Sequence, residues 1–83
     1  MRRYGINLDA YNRMLWDQSY LCAVCETELP IDALPGYAVH IDHDHVTGTL
    51  RKLLCGSCNC LLGKARDEVQ MLKNAIGYLM SFN

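Results

Sequence analysis

Apolar positions change period along this chain, and each change marks an element. Leu8, Tyr11, Leu15 and Gln18 recur at helical steps, with Met14 and Trp16 on the flanks. That period predicts a helix over residues 8–19 whose apolar stripe faces the core. Asn7 is its N-cap candidate, and Asp9 in the first turn suits the helix dipole. Cys22-Ala23-Val24-Cys25 follows as a tight knuckle. Residues 26–37 hold Pro30, Pro35 and Gly36 and read as a loop. Residues 38–42 read as a strand, Thr47-Gly48 as a turn, and residues 49–54 as a second strand pairing back on the first. Cys55-Gly56-Ser57-Cys58 is a second knuckle, with a short helix over residues 59–64 behind it. In residues 67–82, Val69, Leu72, Ile76 and Leu79 return to helical spacing beside Met80, and Asp67 and Glu68 sit at the N-terminal end. This last stripe is read as core, with a homodimer seam as the alternative. The expected fold class is small α+β, with an N-terminal and a C-terminal helix.

Length turns this pattern into a stability problem. With 83 residues the chain is read as one domain over residues 1–83, and a core of that size normally needs a staple. No apolar run approaches the ~18 residues of a membrane span, so no membrane partner is expected. Met1-Arg2-Arg3-Tyr4-Gly5 is charged but leads into no apolar segment, so no secretory signal is read. The expected location is cytoplasmic. There, five cysteines point to metal ligation before disulfides. The net charge of −1 counts against a nucleic-acid partner. Its distribution answers part of that objection. Asp9, Asp17, Glu26 and Glu28 lie early, while Arg51, Lys52, Lys64 and Arg66 gather around the second cysteine pair.

Cys22, Cys25, Cys55 and Cys58 form two Cys-x-x-Cys pairs. Each pair offers two thiolates from one turn, and two pairs complete the tetrahedral shell of a structural zinc ion. A redox reading explains one pair and leaves the other idle. A closed shell of four sulfurs leaves no open position for substrate, so the zinc is structural. Cys60 is left over and is expected to be a small buried hydrophobe.

All three histidines fall in His40-Ile41-Asp42-His43-Asp44-His45. Aspartate offers a hard oxygen to Mg²⁺ or Mn²⁺, and neutral histidine accepts a proton near pH 7. The residues alone suggest metal-assisted hydrolysis; a second zinc site and a solvated turn are the alternatives. In a regular strand Asp42 and His43 point to opposite faces. To serve one phosphate they must sit at a strand end or a bulge.

Taken together, Arg3-Tyr4-Gly5-Ile6, Cys22-x-x-Cys25, the His40–His45 run followed by Gly48, and Leu53-Leu54-Cys55-x-x-Cys58-Asn59 resemble the phage recombination endonuclease VII family. That family is a branch of the His-Me finger (ββα-metal, HNH-type) nucleases, and the resemblance covers residues 3–63. It implies a zinc-stapled finger that hydrolyses phosphodiester bonds of duplex or branched DNA with a divalent metal. It implies Asp42 and Asn59 as ligands of the catalytic Mg²⁺ or Mn²⁺ and His43 as the general base. His45 would lie at the phosphate or leaving group, and His40 would be a further active-site histidine. Asn59 stands where HNH enzymes carry their final histidine. Junction-resolving members carry a longer C-terminal helical part than the one helix here, so a general or nicking phage-type endonuclease is the expectation, as monomer or as homodimer through the last helix. The alternative is a non-catalytic zinc module that binds nucleic acid or protein.

Overall fold

Asn7 opens the first helix through its own side chain. In the computed structural model, which describes residues 7–30 and 38–82, its Oδ1 accepts a hydrogen bond from the Ala10 N–H at 2.8 Å. This satisfies one of the free donors at a helix start. Helix α1 runs Leu8–Asp17 and buries Tyr11 and Leu15, one turn apart, while Leu8 and Trp16 stay exposed. It stops two residues before the predicted end, because Ser19 and Tyr20 adopt left-handed backbone (φ 55° and 61°) and turn the chain back. Arg3-Tyr4-Gly5-Ile6 and the Pro35-Gly36 part of the predicted loop lie outside the described residues.

Strand β1 (Val39–His43) and strand β2 (Leu50–Cys55) form an antiparallel hairpin, each displaced by one residue from the predicted strand. Asp44 sets the connecting turn. Its Oδ1 accepts from the Val46 and Thr47 N–H groups at 2.8 and 2.9 Å, and Gly48 takes φ 76°. Those donors hold the Asp44 carboxyl below the usual carboxylate range. Asp44 is thereby committed to the turn.

Helix α2 (Gly56–Lys64) follows β2 with no loop, three residues earlier than predicted. Cys55, in extended backbone (φ −74°, ψ 166°), is its N-cap. The second Cys-x-x-Cys is thus the opening turn of a helix, and its three-residue step brings both sulfurs to one side. Cys60, two residues beyond the buried Cys58, is rotated to the far side of α2 and is exposed, not buried as expected.

The core is one cluster of Tyr11, Leu15, Cys22, Leu29, Val39, Ile41, Leu53, Leu54 and Cys58. Gln18 ties α1 to it: its Oε1 accepts from the Leu53 N–H at 2.8 Å, and its Nε2 donates to the carbonyls of Leu53 and Leu21 at 3.0 and 2.9 Å. Gln18→Ala removes these partners from half-buried backbone. The expected loss is about 1–3 kcal/mol, measured as a lower Tm of the zinc-loaded protein; an unchanged Tm would mean water replaces the amide at no cost.

Helix α3 (Val69–Met80) departs from the expectation of a core helix. It begins two residues later than predicted, after Arg66 and Asp67 pass through left-handed backbone (φ 54° and 57°). None of its residues is buried, and Val69, Ile76, Leu79 and Met80 are all more than half exposed. The helical period was legible; what the stripe faces was not. Among the described residues, no helix is long and apolar enough to cross a membrane.

Candidate functional site

The two cysteine pairs converge by different local routes. Cys22 and Cys25 sit in a knuckle closed by backbone bonds from Cys22 N–H to the Thr27 carbonyl (2.8 Å) and from Glu26 N–H to the Cys22 carbonyl (3.1 Å). Glu26 takes φ 64° to complete that turn. The second pair rides the start of α2. All four sulfurs lie within 4.8 Å of one another, and Cys25 Sγ is 3.6 Å from Cys55 Sγ. A tetrahedral zinc ion with Zn–S bonds of about 2.3 Å needs sulfurs about 3.8 Å apart, so the set fits that ion with little adjustment.

The electrostatics fit a dication as well. Burial works against a charged Cys22, but the backbone N–H groups of Cys25, Cys55 and Val24 outweigh it and bring its thiol down to about 6. Burial and the neighbouring sulfurs push the Cys58 thiol up to about 12. Hydrogen bonding to Thr27, whose hydroxyl lies 3.1 Å from Cys25 Sγ, lowers the Cys25 thiol. Four sulfurs this close resist carrying four charges, and a bound dication relieves that repulsion. These four cysteines are placed to bind a metal, and their soft donor set is that of structural zinc.

The second group of residues lies toward the turn end of the same hairpin. Val39 pairs with Cys55 at the zinc end, and His43 pairs with Leu50 at the other. Between Ile41↔Leu53 and His43↔Leu50 the register shifts, so Asp42 alone opposes both Arg51 and Lys52. The adjacency of Asp42 and His43 called for a break in alternation. His43 is the last residue of β1, and beside it lies a bulge whose extra residue is on β2 and so leaves the alternation of Asp42 and His43 intact. The bulge lets Arg51 reach Asp42: Arg51 Nε donates to Oδ2 at 2.5 Å and Nη2 to Oδ1 at 3.0 Å. The same Nη2 donates to Asp67 Oδ2 at 3.1 Å. His45 Nε2 lies 4.0 Å from that Asp67 oxygen, and the rings of His43 and His45 are 5.0 Å apart. These two carboxylates raise the Arg51 pKa further above its already high value.

Asp42 is thus linked to Asp67 through Arg51, while His45 lies between Asp67 and the His43 ring. His40 stands apart, near the zinc end of β1: a Cβ built on Gly56 would lie 3.7 Å from its Nε2, which puts the ring over the start of α2. Asn59 is half-buried on α2, directly after Cys58. Sequence reasoning gave Arg51 no role in the site. Regular alternation opposes Asp42 to Lys52, and only the bulge substitutes Arg51. Asp67 was read as a helix-dipole acid inside a helix over residues 67–82, but it belongs to the turn before α3 and points back at the hairpin.

A family model described as recombination endonuclease VII matches residues 1–81. The chain belongs to the recombination endonuclease VII family. Two mycobacteriophage proteins are similar to this chain in sequence. The "Gene 59 protein" of Mycobacterium phage D29 is 39% identical over 77 residues, 92% of this chain and 44% of that protein. Its namesake in Mycobacterium phage L5 is 38% identical over 79 residues, 94% of this chain and 46% of that protein. The chain therefore spans a little under half the length of these relatives. No solved structure matches it. The endonuclease VII match takes in both cysteine pairs, the whole His40–His45 run and Asn59, together with Arg51 and Asp67.

Proposed function

We propose that this chain is a divalent-metal-dependent DNA endonuclease, a zinc-stapled His-Me finger that hydrolyses phosphodiester bonds. Family membership supports the reaction class. The observation that supports the site is the end of β1, where Asp42, gripped by Arg51, is followed by His43 as the last residue of the strand, on a hairpin whose other strand runs into the cysteine cluster and the helix bearing Asn59. The carboxylate of Asp42 and the amide oxygen of Asn59 are hard donors of the kind Mg²⁺ or Mn²⁺ takes. When bound, that ion neutralises charge on the phosphate and the leaving oxygen. His43 takes the proton of the attacking water at a ring nitrogen. His45, on the open side of the hairpin and 5.0 Å from the His43 ring, meets the phosphate or the departing oxygen. His40, over the start of α2, orients the helix end that precedes Asn59. Zinc positions these groups and carries out no chemistry.

The test is cleavage of supercoiled plasmid and of branched DNA by zinc-loaded protein with and without added Mg²⁺ or Mn²⁺. Omitting the ion is the better control, because EDTA also removes the staple. The expected result is nicking that requires the added ion. Binding of DNA with no cleavage in either metal would favour the non-catalytic zinc module instead. The plasmid-to-branched ratio reads the substrate preference.

The exposed stripe of α3 is read as the seam to a second copy of the chain. An apolar helix face of this length left in water marks an interaction surface. Ile76→Glu with Leu79→Glu is expected to halve the mass seen in sedimentation under reducing conditions. It should leave the melting of the zinc-loaded finger nearly unchanged. A parent that sediments as a monomer at all concentrations overturns the seam.

A further inference from the structure

Among the described residues, Asp42 belongs to a charged network whose other two members, Arg51 and Asp67, have no part in the proposed reaction. Arg51 grips both oxygens of Asp42 in a two-pronged hydrogen bond and shares the same Nη2 with Asp67. Bidentate guanidinium–carboxylate pairs are the strong form of this contact. Its side chain is 36% exposed, and those of Asp42 and Asp67 are 13% and 28% exposed, so the network is open to ions and DNA.

We propose that Arg51 is the resident counter-cation of Asp42, against which a divalent ion must compete, and that Asp67 is the second carboxylate that holds Arg51 as the ion takes Asp42. This rests on the reading of Asp42 as an ion ligand. A dication on Asp42 and a guanidinium on the same carboxylate repel each other at a few ångströms. Arg51 therefore has to yield at least one of its bonds. Asp67 lowers the cost of yielding, because its bond to Nη2 is already made and survives a pivot away from Asp42. Two consecutive non-glycine residues, Arg66 and Asp67, hold left-handed backbone, and the turn they make aims this carboxylate at the hairpin. Such conformations persist where the surrounding structure requires them. The same Asp67 oxygen lies 4.0 Å from His45 Nε2 on the other side of the site. Arg51 and Asp67 are positioning residues under this reading.

The experiment measures Mn²⁺ affinity of the full zinc-loaded chain without DNA, by calorimetry or by the paramagnetic resonance of free Mn²⁺. Zinc content and circular dichroism establish that each variant is folded. Arg51→Ala is expected to tighten Mn²⁺ by on the order of tenfold. A residue that merely braced the hairpin would show the opposite change on removal. Arg51→Gln, close in shape and without charge, should tighten it as well and stands in if the alanine variant loses its zinc. Arg51→Lys keeps the competing charge and should restore affinity toward the parent value. Asp67→Asn should weaken Mn²⁺ in the parent background and have no effect in the Arg51→Ala background. Unchanged or weaker binding in both Arg51→Ala and Arg51→Gln, with Asp42→Asn still abolishing binding, overturns this inference and leaves the ion site standing. Equal weakening by Asp67→Asn in both backgrounds overturns the role of Asp67 through Arg51. Parent-like Mn²⁺ binding by Asp42→Asn removes the ion ligand and with it both readings.

Discussion

Removing zinc is expected to unfold the entire domain, with loss of helical circular dichroism and no residual cooperative melt. Two of the nine residues in the core cluster, Cys22 and Cys58, are themselves in the candidate zinc set. The remaining apolar residues are few, and domains of this size have little stability to spare. A small domain is stable by about 5–15 kcal/mol, whereas structural zinc contributes about 10–16 kcal/mol of apparent binding energy in finger peptides. The second figure is as large as the first, so folding without the ion is not expected. The metal also ties the first knuckle to the junction of β2 and α2, which it otherwise meets through the bond from the Ala23 N–H to the Leu53 carbonyl (3.2 Å). Cys55→Ser should reproduce the effect, since it takes away a ligand while leaving a residue suited to the N-cap of α2. The check is a thermal melt of protein stripped by a zinc-selective chelator, followed by restoration with stoichiometric Zn²⁺. A stripped chain that keeps its melt would show that the apolar cluster suffices alone.

Asp42→Ala and His43→Ala should each abolish cleavage while the protein keeps its zinc and its melt. A positioned general base contributes about 10²–10⁴-fold, and loss of a sole carboxylate ligand is expected to cost at least as much. Neither residue belongs to the core cluster, so neither change should disturb folding. Asp42→Asn is the gentler companion variant. It retains the shape beside Arg51 while it removes the charge and replaces one of the two acceptor oxygens by a donor. The measurement is the single-turnover nicking rate of plasmid DNA at saturating Mn²⁺. Cleavage at the parent rate by folded Asp42→Ala would require the hydrolytic site to be elsewhere on the chain.

Most of the fold could be read from residue type and spacing. The Asn7 cap, the Tyr11–Leu15 stripe and the Thr47-Gly48 turn are local signals, and each acts within a few residues of its own position. The Cys-x-x-Cys spacings made the metal cluster legible because geometry over three residues is almost fixed. What could not be read depended on distant partners. The second knuckle turned out to be a helix start because Cys55 takes up an extended cap, a choice set where β2 ends. The stripe of α3 has the same period whether it faces a core, a second chain or water. Cys60 looked like packing until the rotation of α2 was known. Arg51 and Asp67 were hidden for a related reason. A bulge shifts register by one residue, and no local pattern in β2 announces it.

The outward turn of Cys60 has a practical side. With zinc on the other four thiols, this chain carries a single free thiol, one residue from Asn59. A maleimide fluorophore attached there would sit beside the proposed ion site without touching the hairpin. Its emission would follow ion binding and DNA docking in real time. The same sulfur can also mislead: left without reductant, it would join two chains through a disulfide and imitate a helix-mediated dimer.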